Sequence, residues 1–160
     1  MRGFEVKALG EVAIRCADVE RQMAFYRDIL GLEVLSGDHR DGIVFFRIGQ
    51  GYGGHTTVLA LFAPDAGRPE IHPQGQAAPA TGAGSSLHHI ALTVDFDAQE
   101  AAMAWYARNG IDYSVQEFGW SGWRGVFARD PEGNTVELVA YDRSLLESGA
   151  GSDMIDEATA

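Results

Sequence analysis

The chain has 160 residues, 12 Lys+Arg against 23 Asp+Glu for a formal net charge of −11, 46% hydrophobic residues and one cysteine. That apolar fraction supports a real core and excludes a disordered chain, while the acidic balance argues against nucleic-acid and membrane partners, which need a basic face. A lone cysteine excludes an internal disulfide framework, no apolar run approaches the roughly 18 residues of a membrane span, and MRGFEVKALG has no apolar stretch of signal-peptide length, so a cytoplasmic protein is expected.

In chain order, residues 11–16 alternate, with Val12, Ile14 and Cys16 on one face and Glu11, Ala13 and Arg15 on the other. This is the pattern of a half-buried strand, in which Cys16 reads as an inert buried thiol. Asp18 suits the N-cap of a first helix with the apolar stripe Val19, Met23, Tyr26 and Leu30, ending near Gly31. Two strands follow, GLEVLSG and IVFFRIG, with Asp41-Gly42 as a hairpin signal. Gly49 to Gly54, GQGYGG, fits G-x-G-x-x-G as a string, but strand-like HTTVLALF follows it. A dinucleotide fingerprint must open a helix, so this reads as a hairpin loop. Residues 63–85 hold Pro64, Pro69, Pro73 and Pro79 with four glycines and read as a linker. A second strand-and-helix pattern starts at His89; Asp97 with Glu100 looks like a capping box, and Gly110 closes the helix. Strands follow, with DPEGN at 130–134 as a turn before TVELVAY, and 142–160 reads as a frayed acidic tail.

The two flanks of the linker repeat one another. Glu11 aligns with His89, Ala13 with Ala91, Ala24-Phe25-Tyr26 with Ala104-Trp105-Tyr106, and Gly31-Leu32-Glu33-Val34 with Gly110-Ile111-Asp112-Tyr113. The expected organisation is a first βαβββ module over 8–62, the linker over 63–85, a second βαβββ module over 86–141 and the tail.

The repeat also sharpens the chemistry. Glu11 and His89 occupy the same position in the two halves, each on the less apolar face of its strand. Glu137 sits inside an apolar final strand, where a carboxylate is costly unless paired or bound to a metal. One imidazole and two carboxylates with open positions form a catalytic-type metal site, so Glu11, His89 and Glu137 are candidate ligands. His88 alternates to the other face and reads as structural. Arg15, four residues after Glu11, reads as a partner in a plain ion pair, and His55 is a candidate ligand or acid/base group at a substrate site. Trp120, Trp123 and Arg124 flank a Gly-Ser loop and suit a substrate pocket, an aromatic core or a dimer contact.

Three segments, AFYRDILGLEV, LHHIALTV and DPEGNTVEL, resemble the vicinal oxygen chelate superfamily of glyoxalases, bleomycin-resistance proteins and extradiol dioxygenases. The resemblance spans about residues 8–141. It implies an α+β fold in which paired βαβββ modules form a cupped mixed sheet. It also implies one divalent metal ion (Zn, Ni, Mn, Co or Fe) on Glu11, His89 and Glu137, a small-molecule substrate and a homodimer. Glyoxalase I carries a further Glu on the last strand of its first module; the matching position here is Leu59 or Ala60, neither of which binds metal. It similarly carries an Arg four residues after its first ligand, so the resemblance implies a substrate-anion-binding role for Arg15. The expected activity is a metal-dependent lyase or isomerase of glyoxalase type on a substrate with vicinal oxygens, Glu137 or Glu11 moving the proton. A ring-cleaving dioxygenase and a metal-free drug-binding protein are the alternatives.

Overall fold

The computed structural model describes residues 4–66, 81–85 and 87–146. Pro69, Pro73 and Pro79 of the expected linker, and the tail from 147 onward, lie outside the described residues. The chain divides into two compact units, Met1–Ser86 and Leu87–Ala160.

The first unit runs β1 (Glu11–Arg15), α1 (Val19–Ala24), a π-helical turn (Phe25–Ile29), β2 (Glu33–Asp38), a 3-10 turn (His39–Asp41), β3 (Ile43–Gln50) and β4 (Thr56–Phe62). The second runs β5 (Ile90–Thr93), α2 (Ala98–Arg108), β6 (Tyr113–Phe118), β7 (Trp123–Arg129) and β8 (Thr135–Tyr141). Each unit holds one four-stranded mixed sheet, ordered β1-β4-β3-β2 in the first and β5-β8-β7-β6 in the second. The first strand pairs parallel with the last, and the others pair antiparallel. This is the α+β architecture of paired βαβββ modules.

Strand alternation decides which side of each sheet is core. In the first unit Ile14, Cys16, Val44, Phe46, Leu59 and Leu61 are buried on the face that meets the helix, with Tyr26 of the helical segment against Phe46 at 5.9 Å between ring centroids. In the second, Ile90, Val126, Ala128, Val136, Leu138 and Ala140 play the same part. There Gln99 of α2 donates from Nε2 to the carbonyls of Arg124 and Leu138, at 2.7 and 2.9 Å, fastening helix to sheet. The opposite face of the second sheet carries Glu137 and Trp123.

The helix boundaries follow local signals. Asp18 caps α1 by accepting from Arg21 N at 3.0 Å, and Gly31 and Gly110 take the left-handed φ of 73° and 67° that ends each helical segment. Three expectations are corrected. Residues 25–29 form a π turn rather than a continuing α-helix, and the buried positions become Val19, Gln22, Phe25 and Tyr26, with Met23 and Leu30 only half-buried. The wider i→i+5 turn rotates the stripe. Asp97 forms no side-chain cap, because its backbone is already helical at φ −67° and ψ −27°. The Asp41-Gly42 signal also resolves differently: Gly42, at φ 72°, closes the 3-10 turn between β2 and β3 rather than forming a two-residue hairpin.

Candidate functional site

The register of the second sheet places Glu137 opposite Ala91 on β5 and opposite Phe127 on β7. Its carboxylate is therefore on the face away from α2, although the side chain is only 7% exposed. His89, at the entrance to β5, directs Nε2 to Glu137 Oε2 at 3.3 Å. The other ring nitrogen of His89 lies 2.7 Å from His88 Nδ1, one ring donating and the other accepting. Phe127 stands edge-on to His89 at 6.5 Å between centroids. His88 is thus hydrogen-bonded to His89, whose other nitrogen is within ion-pair distance of Glu137, with an aromatic ring beside them.

Gly125 makes room for this arrangement. A Cβ there would collide with Glu137 Oε1 and come within 2.6 Å of the Phe127 ring. Its φ is not in the left-handed region, so the requirement is space rather than conformation. Burial raises the Glu137 carboxyl above the usual carboxylate range, and the neighbouring His89 pulls in the opposite direction.

These residues fit a divalent ion in donor type and in spacing. An imidazole and a carboxylate, each at about 2.0–2.2 Å from one ion and at right or tetrahedral angles, stand roughly 3.0–3.4 Å apart. The observed separation of 3.3 Å lies in that range. Among the described residues no three His, Cys, Asp or Glu side chains gather closely enough to hold a metal by themselves. The structure therefore joins two of the three expected ligands. Glu11, the third, is exposed at the start of β1 in the first unit. There Ala13 pairs with Ala60 just as Ala91 pairs with Glu137, so the counterpart of Glu137 is Ala60, while Leu59 is buried toward the helix.

The expected substrate-binding residues separate into two groups. Trp123 shares the Glu137 face of β7, opposite Tyr141, and exposed Trp120 lies 6.2 Å from it between ring centroids. Arg15 and Arg124 are engaged in the framework. Arg15 Nη1 donates to the carbonyls of Ala63, Pro64 and Ala66 at 3.0, 2.8 and 2.7 Å, pinning the chain beyond β4. Arg124 is on the helix side of β7, opposite to Glu137. It donates from Nε to Gln99 Oε1 at 2.6 Å, pairs with Glu100 at 3.2 Å and stacks 4.0 Å over the Phe96 ring. The one-residue alternation of a strand, which the sequence shows, assigns Arg124 to that side. His55 is exposed and lays its ring over Gly10, with Cε1 3.2 Å from where a Cβ would be.

Three residues of the site carry little sequence signal: His88, Phe127 and Gly125. A glycine inside an apolar strand is the one cue, since it marks a close approach.

With this geometry in place, the relationships are clear. The chain belongs to the Glyoxalase/Bleomycin resistance protein/Dioxygenase superfamily, whose family model matches residues 8–138. Among solved structures it is similar to a lactoylglutathione lyase from Agrobacterium tumefaciens, with 26% identity, a TM-score of 0.64 and coverage of 84% of this chain and 94% of that one. It shares its fold with a glyoxalase/dioxygenase from Nostoc punctiforme, at 21% identity and a TM-score of 0.61, covering 89% and 97% of the two chains. It also shares it with a genomically encoded fosfomycin resistance protein from Listeria monocytogenes, at 15% identity and a TM-score of 0.58, covering 88% and 97%. No curated protein matches the chain.

Proposed function

We propose that the protein is a divalent-metal-dependent enzyme of glyoxalase type, a lyase or isomerase acting on a small substrate with neighbouring oxygens. The observation that carries this reading is the buried Glu137 carboxylate, 3.3 Å from His89 Nε2 and accommodated by the missing side chain of Gly125. His89 and Glu137 would hold the ion, and Glu11 is the third donor expected from the sequence. The ion, when bound, supplies Lewis acidity toward the substrate oxygens. His88 orients the His89 ring through the nitrogen not turned to Glu137. Proton transfer falls to Glu137 or Glu11. Trp120 and Trp123 offer an aromatic wall on the Glu137 face. The similarity to a lactoylglutathione lyase supports the lyase over other chemistries of the superfamily.

Metal analysis of the purified chain tests the reading. Stoichiometric metal that disappears in His89→Ala, Glu137→Ala and Glu11→Ala is expected. A wild-type chain that takes up no divalent ion even when supplied with one would overturn it, and hydrophobic-ligand binding by that metal-free chain would mark a bleomycin-resistance type of protein. Oxygen consumption with a catechol would mark a ring-cleaving dioxygenase instead.

A further inference from the structure

The internal repeat provides a control for a second feature of the β5–β8 unit. In the first unit Glu33 and Arg47 are directly opposed on β2 and β3 and form an ion pair at 3.0 Å. Their counterparts are Asp112 and Arg129. Asp112 matches Glu33 in the aligned Gly31-Leu32-Glu33-Val34 and Gly110-Ile111-Asp112-Tyr113 segments. Arg129 matches Arg47 because it faces Thr135 across β7 and β8 just as Arg47 faces Val58 across β3 and β4. In the second unit the acid is one methylene shorter. Among the described residues neither Asp112 nor Arg129 enters an ion pair within 4 Å.

Both residues, which are exposed, instead line an open cavity of about 650 Å³ on the Glu137 face of the sheet, together with Ser114, Gln116, Thr135 and Phe127. Ser114 and Phe127 are paired across β6 and β7, and Gln116 lies two residues further along the same face of β6. The wall thus presents one guanidinium, one carboxylate, two hydroxyls and an amide beside an aromatic ring. Arg129 is the only cation in it.

We propose that this cavity binds a small zwitterion of amino-acid type, which completes the ion pair left open between Asp112 and Arg129. The ligand carboxylate pairs with the Arg129 guanidinium, whose planar fork suits two parallel hydrogen bonds. The ligand ammonium pairs with Asp112. Both side chains are exposed and solvated, so a zwitterion gains a charge-assisted contact at each, whereas an acid-only or amine-only ligand gains just one. Phe127 provides apolar surface for the ligand side chain. The site adjoins the candidate metal centre, with Phe127 common to both, and its test, made without metal, can fail while the metal analysis succeeds.

The experiment is titration of the full-length, isotope-labelled chain, without added metal, with each free proteinogenic amino acid. Amide chemical shifts of Ser114, Gln116, Arg129 and Thr135 are the readout. For L-phenylalanine, the parallel probes are 3-phenylpropanoate, which lacks the ammonium, and 2-phenylethylamine, which lacks the carboxylate. At least one amino acid should shift these amides saturably, and its acid-only and amine-only analogues should bind about tenfold more weakly, the scale of a charge-assisted hydrogen bond. Arg129→Met and Asp112→Asn should each weaken binding by about the same factor. Asp112→Glu keeps both charges and should also weaken it, because the longer acid can close the internal pair as Glu33 does. Failure of every amino acid to shift these amides, equal binding of the truncated probes, or unchanged affinity in Arg129→Met would overturn the proposal.

Discussion

Glu137 is held in a surrounding that disfavours its charge, and this has a definite pH signature. Burial raises its folded-state pKa, so the folded chain holds the proton more tightly than the unfolded chain. The resulting penalty is absent below the ordinary carboxylate range, grows as pH rises through the raised value and is constant above it. In metal-free protein, Glu137→Gln should therefore gain stability relative to wild type as pH rises toward neutrality and gain nothing in acid, as denaturant midpoints across pH would show. Tyr106 behaves similarly at the alkaline end. Its hydroxyl is buried with no hydrogen-bond partner among the described residues, and burial pushes its pKa up to about 12. Wild-type stability should fall between pH 10, the ordinary tyrosine value, and about 12. Tyr106→Phe should abolish that fall and raise stability at neutral pH by about 1 kcal/mol. His88 is a positioning residue by geometry, bonded to His89 at 2.7 Å. Its replacement by Ala should weaken metal binding by about 10- to 100-fold in competition with a chelator while leaving the fold intact. His89 and Glu137 were legible as candidate site residues because a charge inside an apolar strand needs an explanation. His88 was not, because alternation alone assigns it to the other face, whereas the chain before Ile90 is not yet a strand and its ring turns back to His89.

At the scale of elements, β7 shows how one strand serves two purposes. Trp123, Gly125 and Phe127 lie on the Glu137 face, while Arg124, Val126 and Ala128 lie on the helix face. Gly125→Ala would drive a methyl group into Glu137 and Phe127. It should destabilise the chain by about 1–3 kcal/mol, and metal affinity should fall with it. Circular dichroism melts and a chelator competition measure the two effects separately. Strands, both helices and the Asp130 turn were legible, because alternation, caps and turn residues act over a few positions. Asp130 accepts from Glu132 N and Asn134 N in the turn expected from DPEGN. The π turn at Phe25–Ile29 was not legible, since its i→i+5 bonding depends on how Phe25 and Tyr26 pack and not on residue propensity. The framework roles of Arg15 and Arg124 were also hidden: a carbonyl cluster at 63–66 and the Gln99 amide are distant in sequence and carry no local mark.

For the whole molecule, the charge of −11 bears on cation binding as well as on partners. An ion that binds only the folded chain stabilises it by mass action, by about 2.7 kcal/mol at a hundredfold excess over its dissociation constant. Added divalent metal should therefore raise the melting temperature of wild type and not of Glu137→Ala; an equal rise in both would place the ion elsewhere. The homodimer expected from the family resemblance predicts a solution mass twice 17.3 kDa, which light scattering measures directly. Among the described residues no helix is long and apolar enough to cross a membrane. The sequence by itself determined the strand and helix pattern, the internal repeat and the candidacy of Glu11, His89 and Glu137, because periodicity and an isolated buried charge are local properties. Only the tertiary structure decided that Glu137 meets His89 over Gly125, that Ala60 stands at its counterpart, and that Arg15 and Arg124 are held in the framework while Arg129 and Asp112 face a cavity. Those facts depend on register between strands, where a shift of one residue would turn every side chain to the other face.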